Sequence, residues 1–111
     1  MTKQSTGVED LQRLQQDAVG YFLRAANPEN GLIADSSRED SPCSIAATGL
    51  GLAAWVVGAE RGFLSRGDAA GRTLTALRFF RDSSQGEEPD ATGHRGFYYH
   101  FLDMKSGRVV C

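Results

Sequence analysis

Apolar residues recur at steps of three and four near the start of the chain, at Val8, Leu11, Leu14, Ala18, Phe22 and Ala25. Glu9, Gln12, Arg13, Gln15, Gln16 and Arg24 fill the opposite side, so the spacing predicts an amphipathic helix that Asn27-Pro28 ends. The pattern then changes character. From Ser44 to Gly62 the chain reads SIAATGLGLAAWVVGAERG, apolar around its whole circumference, and from Ile45 to Ala59 only Thr48 and Trp55 carry polar side-chain atoms. A surface helix shows one apolar stripe and a charged opposite face, so this pattern predicts an inner helix with partners on several sides. Gly49, Gly51 and Gly58 each cost roughly 1 kcal/mol relative to Ala in a helix interior, which is offset where a neighbouring element must come close. Ser41 and Ser44 are the candidate N-caps. Ser65 followed by Asp68 has capping-box spacing, and Ala69, Leu74, Leu77 and Phe80 predict a third helix ending near Asp82.

Between the first two helices, Glu29 to Pro42 reads as an ordered loop: Asp35, Ser36, Ser37, Glu39, Asp40 and Ser41 surround the short apolar run Gly31-Leu32-Ile33-Ala34. Ser83 to Gly93 is loop chemistry throughout. Arg95 to Asp103, RGFYYHFLD, alternates with the period of a strand, with Phe97, Tyr99, Phe101 and Asp103 on one face and Tyr98, His100 and Leu102 on the other. Met104 to Gly107 predicts a tight turn, and Arg108 to Val110 the returning strand. The expected fold class is therefore mainly α, three helices followed by a C-terminal β-hairpin. Residues 1–111 form one domain, with no linker that would mark a second.

Composition narrows the function. With 41% apolar and 23% charged residues the chain is globular, and a net charge of −2 with scattered Lys and Arg gives no basic stripe that would track phosphates. No nucleic-acid partner is expected. The N-terminus lacks the apolar core of a signal peptide and the apolar helix is too short and Gly-rich for a span, so no membrane is expected and the default location is the cytoplasm, or the periplasm if a signal lies upstream of Met1. Cys43 and Cys111 have neither CxxC spacing nor a neighbouring His, and read as reduced thiols. No phosphate-cradling glycine motif and no metal constellation is visible, so neither cofactor nor metal is expected. Glu87, Glu88 and Asp90 read as a solvated loop, and His94 carries no assigned role.

The block SIAATGLGLAAWVVGAERGFLSRGDAAGRTLTALRFF, followed by GFYYHFLDMKSGRVV, resembles the N-terminal part of the bacterial glucoamylase-like domain family, which includes endo-β-1,2-glucanases and the processing domains of cyclic β-glucan synthases. The resemblance implies a partial (α/α)₆ barrel in which Ser44 to Arg61 is an inner helix. A full barrel needs about a dozen helices, so the chain is expected to be an N-terminal fragment, inactive alone, of a longer reading frame that holds another carboxylate. The implied activity is inverting hydrolysis of β-linked glucans of the β-1,2 class, by two carboxyl groups about 6.5–9.5 Å apart. Asp103, closing an aromatic strand at a loop end, is the catalytic candidate; the competing reading is that it caps its own turn. Asp35 and Asp40 are candidates for sugar hydroxyls, Tyr98 and Tyr99 for ring faces and His100 for a hydroxyl or a neighbouring carboxylate, against the plainer alternatives of solvated loop and strand packing. Many family members place Arg after the loop aspartate, where this chain has Ser36.

The alternative is a small helical scaffold or interaction module that covers its apolar helix by self-association. The two readings separate on the purified 111-residue chain. A severed piece is expected to be a monomer that binds dyes specific for apolar surface; a defined oligomer with one cooperative unfolding transition, measured by sedimentation and calorimetry, would favour the scaffold.

Overall fold

The computed structural model describes residues 7–110. Three helices, α1 (Gly7–Ala25), α2 (Ile45–Arg61) and α3 (Arg66–Asp82), are followed by short strands β2 (Gly93–His94), β3 (Phe97–Tyr98) and β4 (Phe101–Leu102); strand β1 (Cys43–Ser44) runs directly into α2. The helix ends follow local chemistry. Ser44 and Ser65 are extended N-caps whose hydroxyls accept from the Ala47 and Asp68 amides, and Gly62 closes α2 in the left-handed conformation. The Ser65 box is half formed, because the Asp68 carboxylate turns forward to Arg72 Nε at 3.1 Å. An exposed pair of that kind is worth at most a few tenths of a kcal/mol.

α2 packs between α1 and α3, burying Thr48, Gly51, Ala54, Trp55 and Gly58. Two of the three helix glycines mark close approach as expected. A Cβ on Gly51 would fall on Ile33 Cδ1, and one on Gly58 on Leu64 Cδ2. The third, Gly49, faces open space. Within this chain the shelter expected all round α2 is realised on one side only: Leu50 and Val56 are 63% and 68% exposed, on the same stripe as Gly49 and Ala53. Two neighbouring helices cannot enclose a third. The molecule is correspondingly elongated, 62 × 28 × 20 Å with a radius of gyration of 16.2 Å, where about 13 Å is usual for this length.

Two small cores flank the 31–34 segment. Leu32, Cys43 and Leu102 form one, against Ile45, Phe79, Phe80 and Met104; Ile33, Trp55 and Ala69 centre the other, among the helices. Adjacent residues in extended backbone point opposite ways, so Leu32 and Ile33 enter different cores. Gly31, at φ 78°, starts this segment, and a Cβ there would lie 2.7 Å from the Ala76 Cα. Only glycine satisfies both conditions.

The predicted hairpin between Asp103 and Arg108 is present, with Leu102 bridging Val109 and the Asp103 amide donating to Arg108 O at 2.8 Å. The strand before it is not continuous. Arg95 and Gly96, both at positive φ, make a two-residue turn that pairs His94 with Phe97, a separate hairpin. The chain then kinks at Tyr99-His100, and β4 pairs antiparallel with β1, Cys43 opposite Leu102 and Ser44 opposite Phe101. The aromatic run thus serves two ladders, because Tyr99 N is drawn to Thr92 O and His100 O to the Ile45 amide at the head of α2.

Glycine substitutions separate these environments. In the 111-residue chain, Gly31→Ala is expected to destabilise by about 2 kcal/mol or more, from left-handed strain and overlap with α3, whereas Gly49→Ala should stabilise by about 0.5–1 kcal/mol. Urea unfolding of both variants checks the order; a stabilised Gly31→Ala would refute the close approach.

Candidate functional site

The pairings Ala34 with Cys43 and Cys43 with Leu102 lay three backbones side by side. One residue further along, the row is Asp35, Pro42 and Asp103: the Asp35 amide donates to Pro42 O at 2.8 Å, and Pro42 lies opposite Asp103 by register. Residues opposite one another in antiparallel backbone share a face, and two interstrand steps amount to about 10 Å between the Asp35 and Asp103 backbones. The fold therefore brings together two of the six site candidates that stand 68 residues apart in the sequence.

Asp103 is exposed and built into the turn it begins. Its Oδ1 accepts from the Ser106 amide at 2.8 Å and the Lys105 amide at 3.0 Å, and Gly107 N donates to Asp103 O. The Ser106 amide first, then the Lys105 amide, hold its carboxyl below the usual aspartate range; the Ser106 side chain and the Lys105 charge act the same way, and burial opposes them slightly. The capping geometry considered as the alternative for Asp103 is present, and it leaves a carboxylate that stays ionised.

Asp35 and Asp40 are both exposed on the loop between α1 and β1. The Asp35 charge is felt by two neighbours. Burial, and then Asp35, push the Tyr21 phenol up, and its hydroxyl donates to Ala34 O at 2.7 Å. Burial also raises the Cys43 thiol, with a smaller push from Asp35, while a Thr48 contact at 3.2 Å works against it. Cys43 is a free, fully buried cysteine; Cys111 lies outside the described residues. Asp40 sits at the far turn of the loop and joins none of the other candidates through a hydrogen bond.

The aromatic candidates divide. Tyr98 leans on Phe80, ring centroids 4.7 Å apart, and its hydroxyl donates to Phe80 O at 3.3 Å, so it packs against the end of α3. Tyr99, 38% exposed, follows at the kink; Phe97 is more open still, at 80%. His100 is exposed, with its ring edge-on to Phe101 at 4.3 Å. A half-open cavity of about 300 Å³ lies elsewhere, between Asn27, Trp55, Asp68, Arg72 and Thr75. None of the six candidates lines it.

Sequence reasoning passed over the residues that hold the Asp103 turn in place. Asn27 Nδ2 donates to Met104 O at 2.9 Å, Asn30 Nδ2 to the same oxygen at 3.0 Å, and Thr92 Oγ1 to Gly107 O at 2.8 Å. The signal available was Asn27-Pro28 and the Asn30-Gly31 pair, which mark a loop and say nothing of a partner more than seventy residues away.

No family model matches the chain. It is 29% identical over 105 residues to an exo β-1,2-glucooligosaccharide sophorohydrolase (non-reducing end) of Parabacteroides distasonis, an alignment that covers 90% of this chain and 13% of that protein. Its fold superposes on a crystal structure of a candidate glucoamylase from Bacteroides uniformis with a TM-score of 0.82 and 30% identity, over 98% of this chain and 25% of that one. In sequence and in fold the chain is similar to about a quarter of that candidate glucoamylase. A second candidate glucoamylase, from Bacteroides fragilis, gives a TM-score of 0.76 at 20% identity over 96% of this chain and 25% of its own, and supports the fold. The three helices and hairpin thus correspond to about a quarter of these glucoamylase-like structures, and to about an eighth of the sophorohydrolase. Among the described residues no helix is long and apolar enough to cross a membrane.

The depressed Asp103 value gives a stability signature. A folded-state value below the unfolded one, about 3.9, contributes stability that is present above pH 4 and lost as pH falls through the lowered value. Asp103→Asn, whose side-chain oxygen still accepts from both amides, is expected to flatten the fall of melting temperature below pH 4; an unchanged acid limb would show that the turn does not bind the ionised carboxylate preferentially.

Proposed function

We propose that this chain supplies one wall of the sugar-binding cleft of a glycoside hydrolase acting on β-linked glucooligosaccharides of the β-1,2 class, by inversion. The observation that carries the reading is the shared row of Asp35 and Asp103, in a chain aligned over nine-tenths of its length to a sophorohydrolase. Hydrolysis with inversion needs one carboxyl that holds a proton and one carboxylate that activates water. Asp103, held ionised by its turn amides, suits the second role. The proton donor is then a carboxyl with a raised value, supplied from outside residues 7–110.

Around the water-activating carboxylate the other candidates fall into binding roles. Asp35, one row-width away, accepts sugar hydroxyls, and Tyr99 offers an open ring to the apolar face of a pyranose. His100, beside it, donates to a hydroxyl from its exposed edge, and Asp40 contacts sugar at the rim. Tyr98 contributes by holding the 97–101 segment against α3. The segment alone lacks the proton donor and is inactive in this reading.

The test is made on the protein expressed from its complete reading frame. It should release reducing sugar from β-1,2-glucooligosaccharides, with inverted anomeric configuration in the first-formed product by NMR. Asp103→Asn is expected to lower kcat by about 10²–10⁴-fold, and Asp35→Asn to raise KM with a smaller effect on kcat. Full activity in Asp103→Asn removes Asp103 from the chemistry; no cleavage of any β-glucan by the wild type defeats the substrate assignment.

A further inference from the structure

The turn that carries Asp103 is held from two directions at once. From inside, its Lys105 and Ser106 amides point at the Asp103 carboxylate. From outside, its carbonyls are taken by side chains of distant segments: Met104 O by both Asn27 and Asn30, Lys105 O by Asn30 at the longer distance of 3.5 Å, and Gly107 O by the buried Thr92. A peptide plane has its N–H and C=O on opposite sides. Fixing the carbonyl of Met104 therefore fixes the direction of the Lys105 amide, and fixing that of Lys105 the direction of the Ser106 amide. These are the two donors to Asp103.

Asn30 is the centre of the arrangement. It is 8% exposed, and its Oδ1 accepts from the amide of Leu32, a residue with no solvent exposure in the sheet-side core. Its amide thus links the core directly to the back of the Asp103 turn. Asn27 repeats the design at the end of α1, with its Oδ1 on Glu29 N. A turn needing only to reverse the chain has no use for two asparagines converging on one carbonyl, since Asp103 and Ser106 already close it locally, the latter by accepting from Arg108 N. Satisfying both lone pairs of a single carbonyl with side chains from another segment locks the peptide against rotation.

We propose that Asn30, supported by Asn27 and Thr92, is the positioning residue of Asp103: it fixes the Met104 and Lys105 carbonyls, so that the following amides aim at one carboxylate oxygen and hold the group in one orientation towards the cleft. The inference rests on the reading of Asp103 as the water-activating carboxylate, for its effect on catalysis, and on the hydrogen-bond geometry alone for its effect on the carboxylate. A catalytic group displaced by about 1 Å loses on the order of 10²-fold in rate. Asn30 is nearly buried and both ends of its side chain are engaged by the protein, so its replacement is expected to leave substrate binding nearly unchanged.

The discriminating variant is Asn30→Ser in the protein from the complete reading frame. A serine keeps an oxygen for the Leu32 amide, as serine does in such turns, but is too short to reach Met104, and it adds no charge. The expected result is a fall in kcat of about 10²-fold with KM within about threefold. The Asp103 carboxyl, followed by ¹³C NMR, should titrate at higher pH than in the wild type; Asn27→Ala, which removes one of two bonds to Met104 O, should shift it in the same direction by less. An Asp103 titration unmoved by both variants overturns the proposal, and so does wild-type kcat in Asn30→Ser when Asp103→Asn is inactive. If Asp103→Asn is itself active, the catalytic reading of Asp103 fails, and the clamp is decided by the titration alone. If Asn30→Ser does not fold, Asn27→Ala decides by the same two readouts.

Discussion

Two neighbouring side chains that must both be buried, in opposite directions, organise this structure. Leu32 and Ile33 have 0% and 1% of their surface exposed and belong to different cores. Burying each is worth about 1.5–3 kcal/mol, and both are buried only if the backbone between them stays extended, with the helices on one side and the short ladders on the other. Backbone hydrogen bonds follow the same constraint. Asn27 N reaches Leu32 O and Ala34 N reaches Ala25 O, which bridges Ile33 to Ala26, and the Ile33 amide, directed away from that bridge, is taken by the Thr48 hydroxyl of α2 at 3.1 Å. Thr48, a polar intrusion in the apolar helix, therefore supplies an acceptor to a buried backbone donor.

The placement of the acidic residues descends from that extended segment. Ala34 continues it and bridges to Cys43; Cys43 pairs with Leu102; and the residues that follow or precede these by one position are Asp35, Pro42 and Asp103. A row of this kind needs no long-range attraction between its members, which as like charges repel. It is set by the side chains one position away, of which Cys43 and Leu102 are fully buried and Ala34 is half-buried. The functional reading draws on the same economy: the ladder fixes backbones, the turn amides keep one carboxylate ionised, and the aromatic segment spans from the end of α3 to the head of α2 along the open side.

Much of the fold was legible because its signals are local. Ser44 and Ser65 cap, Gly62 closes, and Asn27-Pro28 stops a helix through atoms within four residues of themselves. The turn after Asp103 was readable for the same reason. What periodicity misread was the RGFYYHFLD run, since alternation in sequence is also produced by two short ladders joined at a kink, and the positive φ of Arg95 is not written in its identity. The half-open state of α2 was equally beyond a pattern that reports what a helix can bury and not what surrounds it. For the site, residue types singled out Asp35 and Asp103, while their common row depends on the pairing of Cys43 with Leu102, 59 residues apart, and the asparagines behind the turn on contacts up to 77 residues apart.

The single tryptophan has a further use. Trp55 is 3% exposed, sits at the centre of the helical core, and lies under the Arg72 guanidinium at 5.0 Å, a contact that joins α2 to α3. An indole sealed from water with a cation over its face emits differently from one in a hydrated coil, and this chain has no other indole to blur the signal. Nature has in effect labelled one interhelical seam with its own fluorophore, so the joining and parting of these two helices can be watched by light without attaching anything.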